Sequence, residues 1–225
     1  MSPSIDAMRD ELRADLMEVG RLLVSMAEAV RTAMVHATEA LLTADRQICE
    51  MVIARDLEIN ELRRQVEERV YDTLARQAPV ASDLRLVITG IQIAADLERM
   101  GDLAEHVAKT GLRRYPAPAV PPEIRDVIAS MGVVADRMAG KVGLVLTTQD
   151  AALGAQLDSD DDAMDDLERH LFEILLRHDW PHGAEAAIDG ALLGRFYERY
   201  ADHAVNAGLL VVYLVTGETA EPPGA

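Results

Sequence analysis

Asp96-Leu97-Glu98-Arg99-Met100-Gly101-Asp102-Leu103-Ala104-Glu105-His106-Val107-Ala108-Lys109 places two carboxylates, Glu98 and Asp102, four residues apart. On an α-helix that spacing stacks them on one face. Leu84, Val87, Ile88, Ile91, Leu97, Met100, Leu103 and Val107 recur at helical spacing around them, so the stretch predicts an amphipathic helix. A near copy, Glu198-Arg199-Tyr200-Ala201-Asp202, returns 100 residues later in a chain of 225. Both read Glu-Arg-x-small-Asp. The chain therefore reads as a duplicated helical unit with a duplicated acidic motif.

The duplication extends beyond the motif. Ser25-Met26-Ala27 matches Ser130-Met131-Gly132 at an offset of 105, and Thr43-Ala44-Asp45 matches Thr148-Gln149-Asp150 at the same offset. Asp56-x-x-x-Asn60-x-Leu62 matches Asp161-x-x-x-Asp165-x-Leu167, again at 105. The second copy is thus five residues shorter between its second and third helices.

Helix signals fall in the same order in each half. Ser4 and Asp6 are candidate caps of a first helix that runs to about Ala44. Asp45 is the expected N-cap of a second, and Pro79 suits the first turn of a third, which stops near Gly111. Four of the nine prolines then crowd into Gly111–Pro122, a semi-rigid linker. A fourth helix is expected over about Glu123–Thr148, a fifth over about Ala151–Arg177 with Asp150 at its start, and a sixth from about Ala184 to Thr216. Asp158 and Ser159 would serve as caps if the fifth were broken there. An amphipathic helix must bury its stripe, and short connections make consecutive helices antiparallel neighbours. The expected fold is all-α: two tandem three-helix bundles related by the internal repeat, with helices roughly 40–60 Å long and an elongated outline. The division is 1–111 for the first bundle, 112–122 for the linker, 123–217 for the second bundle and 218–225 for a flexible tail.

Composition agrees with helices: aromatic residues are only 4% of the chain, and Ala, Leu, Val, Glu, Asp and Arg dominate. A net charge of −17 argues against nucleic acid, which needs basic patches, and favours cations and basic protein surfaces. It also argues against a direct anion site unless a metal bridges it. Cys49, the single cysteine, lies in an apolar pattern and is expected to be buried. Trp180, beside Pro181, is expected to plug a bundle end. No basic region precedes an apolar run at the N-terminus, and Leu86–Ala95 and Gly208–Val215 are too short to span a bilayer, so the expected location is the cytoplasm.

A lone Glu-x-x-x-Asp on a helix is ordinarily a solvated face. Repetition on equivalent helices points instead to paired cation sites, because like charges at i, i+4 repel and an oxygen-rich patch suits a hard metal ion. Glu98, Asp102 and His106 form one expected column, Glu198, Asp202 and Asn206 the other, with Asp56, Asn60, Asp161 and Asp165 supplying further oxygens from the preceding helices. Arg99 and Arg199 read as charge partners within reach of neighbouring helices. Three functions fit these residues: a regulatory adaptor, a metal-dependent carboxylate-site enzyme, and a purely structural bundle. The enzyme lacks a Glu-x-x-His pair of the di-iron bundles and a clear general base.

Gln77-Ala78-Pro79-Val80-Ala81-Ser82-Asp83-Leu84-Arg85, Asp96–Asp102 and Tyr197-Glu198-Arg199-Tyr200-Ala201-Asp202-His203-Ala204-Val205-Asn206 resemble the PhoU family, accessory proteins of bacterial phosphate-specific transport. The resemblance covers nearly the whole chain. It implies tandem three-helix bundles, a homodimer, and metal ions (Mg, Mn, Fe or Zn) at Glu98, Asp102, Glu198 and Asp202, with Asp56, Asp161 and Asp165 beside them. It also implies a negative regulator without enzymatic activity. Such a regulator links the ATPase of a phosphate ABC transporter to a sensor histidine kinase and meets the membrane only through those partners. His106 stands where the family pattern has Asn, so metal preference is expected to differ between the two motifs.

Overall fold

The structure, a computed structural model, describes residues 5–77 and 79–218. Its elements, in order, are α1 (Ile5–Thr43), α2 (Arg46–Arg76), α3 (Ser82–Arg114), α4 (Pro122–Thr148), α5 (Ala151–Leu175) and α6 (Gly183–Thr216). The cap expected at Ser4 and the side chain of Asp6 lie outside what is described, as does the expected tail from residue 219 on. Among the described residues no helix is long and apolar enough to cross a membrane.

The repeat is visible in the turns. Ala44 takes a left-handed conformation at φ 53°, and Asp45 then accepts hydrogen bonds from the amides of Gln47 and Ile48 at 2.9 and 3.1 Å. In the second half Gln149 has the same φ of 53°, and Asp150 accepts from Ala152 and Leu153 at 2.9 and 3.2 Å. Each left-handed residue reverses the chain and each carboxylate satisfies the first free amides of the next helix.

Three boundaries differ from the sequence expectation. Pro79 is not in α3, because Ala81 at φ 50° cannot continue a helix and the first turn starts after it, at Ser82. Gly111 does not stop α3, which runs on to Arg114. A Cβ at Gly111 would come within 3.1 Å of Cys49 Sγ, so this glycine permits a close helix crossing rather than a stop. The fifth helix ends at Leu175, and it passes unbroken through Asp158 and Ser159.

Helices α1–α3 form one bundle and α4–α6 the other; α1 packs on α4 and α3 on α6, so the two lie flank to flank. Both pairs are antiparallel. Along α1, Arg31 Nε donates to Asp136 at 2.6 Å and the carbonyl of Leu42 accepts from Arg125 at 2.6 Å. Along α3, Asp96 faces His203 and Asn206 while Arg113 faces Asp189. One apolar core is continuous through both bundles. Two tyrosines, one just before the second motif and one within it, cross this core: Tyr197 Oη lies 2.7 Å from Thr38 Oγ1 and Tyr200 Oη donates to the Val30 carbonyl at 3.1 Å. Both rings are fully buried, so each couples a large apolar contact to a satisfied hydroxyl. Cys49 is buried, and Trp180 packs on the core from the loop before α6.

Candidate functional site

Helix geometry splits the Glu-Arg-x-small-Asp motif between two surfaces. On α3, Glu98 turns toward α2, and Arg99, one residue on, turns toward α6. The small residue marks the closest crossing: a Cβ at Gly101 would stand 2.9 Å from Ile59 Cδ1 and 3.5 Å from Asp56 Oδ1. Ala201, its equivalent on α6, is fully buried.

The first carboxylate patch joins α2 and α3. Asn60 Nδ2 donates to Asp56 Oδ2 at 2.8 Å, while Asp56 Oδ1 is buried with no partner. Glu98, its side chain only 15% exposed, is paired with Arg63 at 2.9 Å. Arg99 donates to Asp102 at 2.8 Å, and Lys109 lies 2.6 Å from Glu105. Asp56, Glu98, Asp102 and Glu105 are therefore met by three cationic side chains, of which Arg63 is shared with Glu67 at 3.0 Å. Burial raises the Asp56 pKa above the ordinary carboxylate value, with Glu105, Asp102 and Glu98 adding to the shift.

The second patch joins α5 and α6 and brings Asp161, Asp165, Glu168, Glu198 and Asp202 together; among the described residues the one arginine paired with them is Arg195, on Glu198. Asp161 Oδ1 and Glu198 Oε2 are buried without a partner. Burial first, then Asp165, Asp202 and Glu198, pushes the Asp161 pKa up to about 7. Burial and Asp202 push Glu198 up to about 7 as well, against the lowering effect of Arg195. Glu168 is raised by burial, again opposed by Arg195.

All seven expected ligand residues thus fall into two groups: Asp56, Glu98 and Asp102 in one bundle, Asp161, Asp165, Glu198 and Asp202 in the other. Among the described residues no three His, Cys, Asp or Glu converge as a ready-made metal shell. The chemistry of both patches nonetheless suits a hard cation. The donors are carboxylate oxygens, and three of them are buried with nothing to bind.

The expected columns end differently. His106 and Asn206 leave the patches for the seam between bundles, because eight residues along a 3.6-residue helix drift well round its axis. His106 packs edge-on against Phe196, with ring centroids 5.2 Å apart. Asn206 donates to Asp96 at 2.6 Å, and His203 Nδ1 lies 2.9 Å from the other oxygen of Asp96. The patches instead recruit Glu105, Glu168, Arg63 and Arg195, which the motif alone does not single out. Glu105 lies seven residues, about two turns, beyond Glu98 and is legible from that spacing.

A PhoU domain model matches residues 23–110 and again 128–211, one match in each bundle. The chain belongs to the PhoU family. It is 44% identical to the Mycobacterium tuberculosis phosphate-specific transport system accessory protein PhoU homolog 2, over 93% of this chain and 99% of that protein. The crystal structure of PhoU from Pseudomonas aeruginosa superposes with a TM-score of 0.78 at 27% identity, covering 96% of this chain and all of that one. The phosphate transport system regulatory protein PhoU from Streptococcus pneumoniae gives a TM-score of 0.84 over 93% of this chain and 99% of that one, and at 24% identity it speaks for the fold alone. The two matched segments carry one acidic motif each, so in this PhoU protein each domain copy contributes one carboxylate patch.

Proposed function

We propose that this chain is a cytoplasmic negative regulator of phosphate uptake and of the phosphate-starvation response. It acts as a metal-binding adaptor, working as a homodimer, between the ATPase of a phosphate ABC transporter and a sensor histidine kinase. Membership of the PhoU family over both bundles supports the transport-accessory part of this reading. The observation that carries the metal-binding part is the set of buried, unpartnered carboxylate oxygens on Asp56, Asp161 and Glu198. A buried carboxylate oxygen without a partner is costly, and a cation removes that cost.

Glu98, Asp102 and Asp56 would hold a cation in the first bundle; Glu198, Asp202, Asp161 and Asp165 would hold it in the second. An all-oxygen set favours Mg, Mn or Fe, with Zn also accommodated. The ion would supply neutralisation. It would let the α2–α3 and α5–α6 faces close without like-charge repulsion and so present one defined docking surface. This reading assigns no turnover. Hydrolytic or redox activity that disappears in Asp102→Asn would overturn that part.

The test is a phosphate-starvation reporter in cells lacking the protein, grown in abundant phosphate. The expected result is a reporter that is on without the protein and off with the wild type. The quadruple variant Glu98→Gln/Asp102→Asn/Glu198→Gln/Asp202→Asn is expected to leave it on. In cells that also lack any second PhoU copy, a reporter that stays off in every strain refutes the regulatory reading for this chain.

A further inference from the structure

The seam between the bundles holds a cleft whose charge is opposite to that of the molecule. Its walls come only from α3 and α6, and Arg99, Arg195, Arg199, His106 and His203 line it together with one carboxylate, Asp102. Leu103 and Phe196 complete the lining. The convergence follows from the repeat: Arg99 and Arg199 are equivalent residues of the two motifs, and the antiparallel packing of α3 on α6 brings both to one place. In a chain of net charge −17, three arginines line one cleft of about 380 Å³.

Their existing partners leave most of that charge available. Arg99 pairs with Asp102 and Arg195 with Glu198, each three residues away on its own helix and more than half exposed. The Arg99–Asp102 pair, with its arginine exposed, is worth about 1 kcal/mol or less, and each pair uses few of the five donors a guanidinium carries. Arg199 has no ion pair or side-chain hydrogen bond among the described residues. His203 is oriented by its 2.9 Å contact with Asp96, which positions the ring from behind. Planar forks with several unspent donors, converging on one concave site, recognise tetrahedral oxyanions by paired hydrogen bonds.

We propose that the α3–α6 cleft binds a phosphate-type oxyanion, either free inorganic phosphate or a phosphate ester, through Arg199, Arg99 and Arg195. The cleft borders both carboxylate patches, sharing Asp102 and Arg99 with the first and Arg195 with the second, and its anion contacts require no metal. It reverses locally the expectation, drawn from net charge, that anions are excluded.

The test is calorimetric titration of the purified full chain with inorganic phosphate and, separately, with phosphoserine. Both are run with and without prior chelation and at matched ionic strength with chloride. Saturable binding is expected in the chelated protein. Phosphate alone binding identifies the free anion as ligand; phosphoserine alone binding identifies an ester. Arg199→Gln is expected to weaken binding roughly tenfold or more, and Arg199→Lys by less, because Lys keeps the charge and loses the fork. Arg199 is exposed, so unchanged melting of both variants checks that the fold is intact. Binding that vanishes on chelation overturns the proposal and assigns the anion to a metal in the carboxylate patches; binding that persists unchanged in chelated Arg199→Gln overturns it by removing Arg199 from the site. Absence of saturable binding by either probe overturns it outright.

Discussion

In the first bundle Arg63 lies 2.9 Å from Glu98; at the equivalent position of the second bundle, 105 residues on, stands Glu168, which adds negative charge around Glu198. Asn60 and Asp165 differ in the same sense. One patch is nearly neutralised by its own side chains, with four carboxylates facing three cations, and the other holds five carboxylates against one. The backbone repeat is preserved and the electrostatics have diverged. A cation entering the first patch must displace or share with Arg63, whereas in the second it meets uncompensated charge. The seam shows the same divergence: the contact of Asp96 with Asn206 and His203 is answered, at the equivalent positions, by Phe196 against His106.

Exchanging the two residues gives the largest expected effect. In Arg63→Glu/Glu168→Arg, Mn²⁺ affinity at the first patch should rise and that at the second should fall, each by about tenfold or more. Calorimetry resolves the two patches when each is read in a background where the other carries neutralised ligands. Affinities that do not move with Arg63 and Glu168 break the comparison.

Packing should separate the copies next. Gly101→Leu forces side-chain atoms into the contact with Ile59 and Asp56 and should destabilise by about 1–3 kcal/mol in urea titration. A loss below about 0.5 kcal/mol would mean that α2 yields and the crossing is not tight.

The pH dependence of the metal-free protein sharpens the contrast. Asp161 and Glu198 have folded pKa values of about 7, above the usual values of 3.8 and 4.5. A raised folded pKa gives a relative contribution that is fully present below the unfolded pKa and lost as pH rises through the folded one. Between about pH 4 and 7 these two groups therefore progressively withdraw stability, and acidification from pH 7.5 to 5.5 should raise the melting temperature. Asp161→Asn/Glu198→Gln should flatten that response and stabilise the metal-free protein at pH 7.5 by about 1 kcal/mol after solvent screening. Asp56→Asn should act in the same direction with smaller effect, since only one buried acid is involved. A double variant as pH-sensitive as the wild type would remove the second patch as the source.

The smallest effect is expected far from either patch. Arg64 bonds Glu61 and Glu68 on the exposed face of α2, and Arg64→Ala should leave the melting temperature essentially unchanged. A larger change would mean that surface pairs contribute enough to blur the difference between the patches.

Much of the fold and of both patches is legible in the order of the residues. Six helices follow from apolar spacing, Asp45 and Asp150 from capping chemistry, four ligand candidates from the repeated motif and the other three from a second match on the preceding helices. These readings depend on interactions within a few turns of one helix. Residue order misplaces Pro79, Gly111 and His106 because their roles depend on the conformation of a neighbour or on residues distant in sequence. A left-handed Ala81 delays α3, Cys49 explains Gly111, and Phe196 draws His106 to the seam.

Periodicity, capping and i, i+4 spacing are local properties, so the order of residues alone dictates the helical fold, its duplication and the acidic character of both motifs. Which charges are compensated follows from how the helices pack. Arg63 and Glu168 carry no signal that they face the motif glutamates, and the two motif arginines share a cleft solely because α3 and α6 pack antiparallel. Electrostatic energy depends on distance and burial in space, and separation along the chain sets neither.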